Sequence, residues 1–181
     1  MLQIIKITTF IILLMLLQGC LVFKSVSYEI DLSENNSGNV TMEFTDLRSD
    51  AINTSELEAD KKQLFKDMWK SDEFVKQMRD EGKNIFDRKL FISDGKLDGI
   101  IKYSFDDISY VENFVYQEPF YYITFDLQDS IISTNGEVVI SEDHKRIIWD
   151  NSIKTLKFEW FSTDTENSSL VELVQYLQDD K

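Results

Sequence analysis

The chain has 181 residues, a formal net charge of −14 and one cysteine. So acidic a chain excludes binding to a polyanion such as nucleic acid, which requires clustered Lys and Arg, and adhesion by charge to anionic lipid headgroups. A lone cysteine excludes an intramolecular disulfide, so folding must rest on packing.

Residues 1–6 carry a single charge, Lys6, residues 7–17 are almost wholly apolar, and Gln18 and Gly19 lead to Cys20. That is the three-part plan of a secretory signal, and the apolar run is short for a permanent spanning helix, which needs about 20 residues. Leu17-Gln18-Gly19-Cys20 resembles the lipobox of bacterial lipoproteins. The resemblance implies cleavage between Gly19 and Cys20, a diacylglycerol on the Cys20 thiol, and often an acylated amino terminus. A thiolate is the most nucleophilic side chain available to take a lipid, and two or three acyl chains anchor a protein stably where one does not. Residues 1–19 are therefore expected to be a lipoprotein signal peptide, residues 20–27 a lipidated tether, and residues 28–181 a single domain. Loss of the signal removes Lys6 and no acid, so the charge becomes −15 over 162 residues.

From Tyr28 the pattern has period two. Tyr28, Ile30 and Leu32 alternate with Glu29, Asp31 and Ser33; after the turn-forming "ENNSGN", Val40, Met42 and Phe44 alternate with Thr41, Glu43 and Thr45. This predicts a hairpin with one wet face. Ser55 with Glu58 then forms a capping-box signature, and Leu57, Leu64, Phe65 and Met68 predict a helix over residues 55–69. Ser71 with Asp72 and Glu73 predicts a second helix stopped at Gly82, or one helix kinked between the two.

Beyond residue 84 the period returns to two. Asp94-Gly95 predicts a tight hairpin, and further strands are predicted at residues 121–127, 136–141 following an Asn135-Gly136 turn, 145–149 and 155–161. A second capping box, Ser169 with Glu172, predicts a short closing helix carrying Leu170, Leu173, Val174 and Leu177. The fold class is α+β, mainly antiparallel sheet, with one or two amphipathic helices after the first hairpin and a short C-terminal helix. The opening hairpin with its "ENNSGN" turn, set directly behind a lipidated cysteine, resembles the LppM-like group of β-rich lipoprotein domains. The likeness covers that hairpin and the element order, and it carries no functional residues.

Catalytic chemistry finds little support. His144, the only histidine, sits in the hydrophilic "SEDHKRI" and is expected to be a surface turn residue; no G-x-S-x-G elbow is present. Zinc sites need several His or Cys ligands, "SDGKLDG" lacks the closing glutamate of a calcium loop, and no phosphate-binding or dinucleotide glycine motif occurs, so no metal or cofactor is expected. Carboxylate pairs such as Asp94 and Asp98, Asp106 and Asp107, Glu142 and Asp143, or Asp164 and Glu166 are too many to single one out. What is unusual is "YVENFVYQEPFYYITF", with seven aromatics beside the only proline, Pro119. In a strand, Tyr121, Ile123, Phe125 and Leu127 share one face, expected to be buried, which leaves Phe120 and Tyr122 on the other as partner-binding candidates. The leading expectation is a lipid-anchored bacterial envelope protein that is a non-enzymatic binding or structural module for an envelope protein or glycan. The alternative is an envelope polysaccharide or peptide hydrolase using a carboxylate pair. Leu21 behind Cys20, in place of the aspartate that signals inner-membrane retention, favours outer-membrane sorting where an outer membrane exists.

Overall fold

Alternation of apolar and polar residues resolves into two facing antiparallel sheets and a small three-stranded one in a computed structural model, which describes residues 21–161, 165–167 and 169–177. The signal segment, Cys20, Asp164 and residues 178–181 lie outside the described residues. The chain runs through β1 (Leu21–Val22), β2 (Ser25–Leu32), β3 (Gly38–Thr45) and β4 (Arg48–Ser49) into helix α1 (Thr54–Lys61), which continues as a π-helical segment, Lys62–Met68. Helix α2 (Asp72–Asp80) follows, then β5 (Lys83–Ser93), β6 (Lys96–Phe105), β7 (Val115–Gln117), β8 (Phe120–Phe125) and β9 (Ile131–Thr134). The last strands are β10 (Glu137–Ile140), β11 (Lys145–Asp150), β12 (Thr155–Trp160) and β13 (Val171–Glu172).

One sheet has six strands in the order β5-β6-β3-β2-β12-β9, the second has four in the order β10-β11-β8-β7, and the small third runs β1-β4-β13. The opening hairpin pairs Ser25 with Thr45 through Leu32 with Gly38, burying Val26, Tyr28, Ile30, Val40 and Met42. Tyr121, Ile123, Phe125, Ile147 and Trp149 reach down from the second sheet into the same core. Phe158 lies at its centre, stacked on Tyr28 with ring centroids 4.8 Å apart and touching Phe114, Phe125 and Trp149. Such ring pairs add about 0.5–1.5 kcal/mol each beyond area burial. A second cluster, Leu47, Leu64, Phe65, Leu97 and Leu173, fills the space under the π-helical segment; Phe23, Phe44 and Trp69 pack against both clusters.

The two helices sit between β4 and β5, and the α+β class is what the molecule adopts. α1 starts earlier than Ser55: Asn53 caps it, accepting from the backbone of Glu56, whose carboxylate reaches back to the Ile52 N–H. The π-helical segment lets Gln63, Leu64 and Phe65 all be buried in succession. α2 is separate, capped by Ser71, and the chain leaves it at Gly82, whose φ of 83° suits glycine. Arg88 on β5 donates to the carbonyls of Met68 and Ser71, tying the break between the helical segments to the sheet. Asp94 and Gly95, with φ of 49° and 78°, make the tight β5–β6 turn.

Four expectations need correction. Residues 21–27 are strand rather than tether: Leu21 and Val22 pair with Ser49 and Arg48, and β2 begins at Ser25. The closing helix does not form over residues 170–177, because Val171 and Glu172 pair with the same β4 strand, leaving a single 3-10 turn at Val174–Tyr176. Asn135-Gly136 is a corner at which the chain passes from one sheet to the other, since β9 pairs with β12 and β10 with β11. Gly136 is required there by close approach: a Cβ would lie 2.7 Å from the Trp149 indole. Leu127 falls beyond β8 in an exposed turn and is 45% accessible.

Candidate functional site

β8 divides its side chains as the alternation requires. Tyr121, Ile123 and Phe125 are buried, while Phe120, Tyr122 and Thr124 point away from the core. Register extends that outer face across the sheet. Val115 on β7, Tyr122 on β8 and Ile148 on β11 are opposite one another; Thr124, Arg146 and Val139 form the next row, and Gln117, Phe120 and Asp150 the row on the other side. No helix packs on this face among the described residues. Phe120 is 43% exposed, and Val115 and Val139 are exposed to a similar degree.

Arg146 organises the centre. Its guanidinium lies 5.0 Å from the Tyr122 ring centroid, and its Nε donates to Thr124 Oγ1 over 3.2 Å. A cation over a tyrosine face contributes about 0.5–1 kcal/mol at an exposed site, so Tyr122 is held in place without being buried. The sheet end is fixed too. Glu118 and Pro119 form the two-residue β7–β8 turn, the Pro119 carbonyl accepts from the Asn151 N–H, and Tyr121 Oη donates to Asn36 Oδ1 over 2.6 Å. Burial, with a smaller contribution from Tyr116, raises the Tyr121 hydroxyl above its ordinary pKa, so it is a donor at every physiological pH. Arg146, Ile148, Val115 and Val139 are the members of this face that sequence alone did not single out. Of these, only Val139 had a sequence signal, the apolar run Val138-Val139-Ile140 of β10, which the structure leaves exposed.

Ser141, Asp143 and His144 do meet, in the β10–β11 turn. Yet Ser141 Oγ and Asp143 Oδ1 both approach His144 Nδ1, at 3.0 and 2.6 Å. A relay needs the acid and the nucleophile on opposite ring nitrogens, so this cluster is a turn clasp. Its hydrogen bonds from His144 and Ser141 lower the Asp143 carboxyl below its usual range.

One carboxylate pair has affinities pushed in opposite directions. Burial raises Asp98, against the hydrogen bond it accepts from the Asp46 N–H and with help from the charges of Asp46 and Asp94. Burial also opposes ionisation of Asp46, but hydrogen bonds from Arg48, Thr165 and Lys96 outweigh it and lower that group. Such splitting is what acid–base catalysis uses. Here the oxygens are already engaged: Asp46 Oδ1 by Arg48 at 2.9 Å, Asp46 Oδ2 by Thr165 at 2.6 Å, and Asp98 Oδ1 by the Asp46 N–H at 2.8 Å. The adjoining cavity, lined by Arg48, Lys96 and Glu172, measures about 10 Å³, room for one water and no substrate. Other paired acids are occupied locally, Asp107 capping a 3-10 turn and Glu166 holding Lys96 at 2.7 Å. Among the described residues no three His, Cys, Asp or Glu side chains gather to hold a metal ion.

An open groove of about 510 Å³ lies between the π-helical segment and β5, lined by Phe65, Trp69, Leu90, Ile92 and Leu177 among others. No helix of the described residues is long and apolar enough to cross a membrane. No family model matches the chain, and neither a curated protein nor a solved structure does.

Proposed function

We propose that the chain is a lipid-anchored protein of a bacterial envelope, at the outer membrane where one exists. Its domain binds an envelope protein or glycan through the outer face of the four-stranded sheet. Cys20 carries the lipid, released as a new amino terminus by cleavage after Gly19, and Phe120 and Tyr122 are the anchors for the partner. The observation that carries the reading is the cluster on that face of two aromatics, three aliphatics and a ring-stacked arginine, among the polar Gln117, Thr124, Glu137 and Asp150 that would suffice for solubility. Aromatic residues and arginine are the side chains most enriched where proteins meet partners. Among the described residues, the carboxylate pair Asp46 and Asp98 shows a catalytic type of pKa splitting, and it lacks space for a substrate.

The anchor is tested with Cys20→Ser, since a hydroxyl is a far poorer nucleophile than a thiolate. The variant accumulates as uncleaved precursor or in soluble fractions, whereas the wild-type amino-terminal peptide carries acyl mass. An unmodified Cys20 in the wild type rejects the anchor. Pull-down with detergent-solubilised, lipidated protein from its native envelope tests the face: capture that survives Phe120→Ala combined with Tyr122→Ala rejects it.

A further inference from the structure

We infer that the end of the sandwich at which the chain enters is a bilayer-contact surface, seated on zwitterionic lipid of the membrane that holds the anchor. The inference deepens the proposed function and rests on the reading that Cys20 is acylated.

Register locates that end. Leu21 pairs with Ser49, so no spacer separates Cys20 from a hydrogen-bonded strand. Consecutive Cα atoms are about 3.8 Å apart, and a lipid on Cys20 therefore holds this end against the headgroups. Thr45, Gly99 and Trp160 share it, through the pairs Ser25 with Thr45, Phe44 with Gly99 and Val26 with Trp160.

Six large apolar side chains open to solvent are gathered at the same end: Ile52, Ile92, Leu127, Ile132, Ile140 and Phe161. Ile52 lies three residues past Ser49 and is 90% exposed. Ile92 pairs with Leu97, two residues outward of Gly99. The Phe161 ring is 5.0 Å from Phe23, and its N–H donates to Ser130, in the turn that carries Leu127. Ile132 lies in the irregular stretch of β9 opposite Glu159 and Trp160. Lys145, the cross-strand partner of Ile140, donates to the Asp129 carbonyl of that same turn, and Ile140 is 68% exposed.

Single exposed aliphatics are ordinary, but these come from separate loops and strand ends and are spread across one end of the sandwich, from the β5 edge to the β9 edge, the end to which the lipid attaches. Asp50, Asp94, Asp126, Asp129 and Glu142 stand among them in sequence and outnumber Lys24, Lys96 and Lys145 at the same end, so net charge would oppose an anionic surface. Apolar insertion into zwitterionic lipid fits both facts. At the other end lie Asn36, Ser152 and the Phe120 end of β8, eight residues of β2 or roughly 26 Å away. The Phe120 end of the aromatic face is thus held away from the anchoring bilayer.

The test uses full-length, lipidated protein reconstituted in phosphatidylcholine vesicles. Ile52→Cys, Ile140→Cys and Ser152→Cys, each labelled with bimane, are quenched by nitroxide-bearing lipid; an acylated Cys20 does not react with the label. Quenching several-fold stronger at positions 52 and 140 than at 152 is the expected result. Equal or absent quenching at all three, in protein that floats with vesicles and carries acyl mass on Cys20, overturns the membrane seat and leaves the anchor standing. Protein that neither floats nor carries acyl mass overturns both.

Discussion

The two sheets each turn one face away from the shared core, and the two faces differ in kind. On the six-stranded sheet the outward positions of β2, β3 and β12 are Glu29, Asp31, Thr41, Glu43, Lys157 and Glu159, and Lys157 pairs with Glu29 across the strands at 2.9 Å. On the four-stranded sheet they are Phe120, Tyr122, Val115, Ile148 and Val139 around Arg146, with Gln117, Thr124, Glu137 and Asp150 as polar neighbours. In both sheets the central strands bury their inner positions, Tyr121, Ile123, Phe125, Ile147 and Trp149 in one and Tyr28, Ile30, Val40, Met42, Leu156 and Phe158 in the other, so packing does not require the second composition. The first face is what solvation alone selects. The second retains apolar area that folding leaves unused, which is the signature of a surface completed by something else.

The largest expected effect falls on the core beneath both faces. Phe125 is buried against Phe158 and Trp160, so Phe125→Ala should cost about 3–5 kcal/mol in denaturant unfolding and weaken both sheets together. Tyr122→Ala separates them. It removes a stacked cation and a cross-strand neighbour, a stability loss of about 1 kcal/mol, yet it should abolish most partner capture. Thr41→Ala on the opposite sheet should change capture by nothing measurable and stability within about ±0.5 kcal/mol. If Tyr122→Ala destabilises as strongly as Phe125→Ala, Tyr122 is core and the contrast between faces fails.

pH sharpens the distinction between stability and binding, because two buried groups with shifted carboxyls, Asp60 and Asp46, lie on neither face. Asp60 is fully buried, with Oδ2 accepting from Ser49 and Oδ1 without a hydrogen-bond partner. Burial raises its carboxyl, against the Ser49 bond and with help from Asp50 and Glu56. A folded-state value above the unfolded one means that the stabilising contribution is complete at acid pH and is lost as pH rises through the raised value. Asp60→Asn should therefore gain on the wild type as pH is raised across that range in urea titrations. Asp46, lowered, contributes the opposite slope: its share is present above the unfolded value and lost as pH falls through the folded one. The smallest effect belongs to His144→Ala, whose ring sits in a turn beside the four-stranded sheet and off its face; within about ±0.5 kcal/mol and unchanged capture are expected.

Local chemistry made part of this legible in the sequence. Strict alternation in residues 28–32 and 40–44 specifies a half-buried hairpin, because a one-residue slip would bury Glu29 and Asp31. Asp94-Gly95 specifies a turn because few other pairs tolerate two positive φ angles. The parity of β8 likewise separates Tyr121, Ile123 and Phe125 from Phe120 and Tyr122. What the sequence hides is pairing between distant segments. Ser169 and Glu172 have the spacing of a helix cap, but β4 offers an edge that captures Val171 and Glu172, and the Glu172 carboxylate faces Arg48 at 3.6 Å instead. The same edge turns Leu21 and Val22 into strand. Asn135-Gly136 reads as a hairpin turn until Trp149 Nε1 is seen donating to Asn135 Oδ1 across the corner between sheets. Arg146 escaped notice for a related reason: an arginine in a strand is an ordinary outward residue until register sets it over Tyr122.

The contrast between the two faces is tested most directly by measuring how tightly detergent-solubilised, lipidated protein binds isolated native envelopes, for the wild type, Tyr122→Ala and Thr41→Ala in parallel. The account predicts wild-type affinity for Thr41→Ala and at least a tenfold loss for Tyr122→Ala, about 1.4 kcal/mol, with both variants folded by thermal melt. Equal affinity of all three proteins would contradict it.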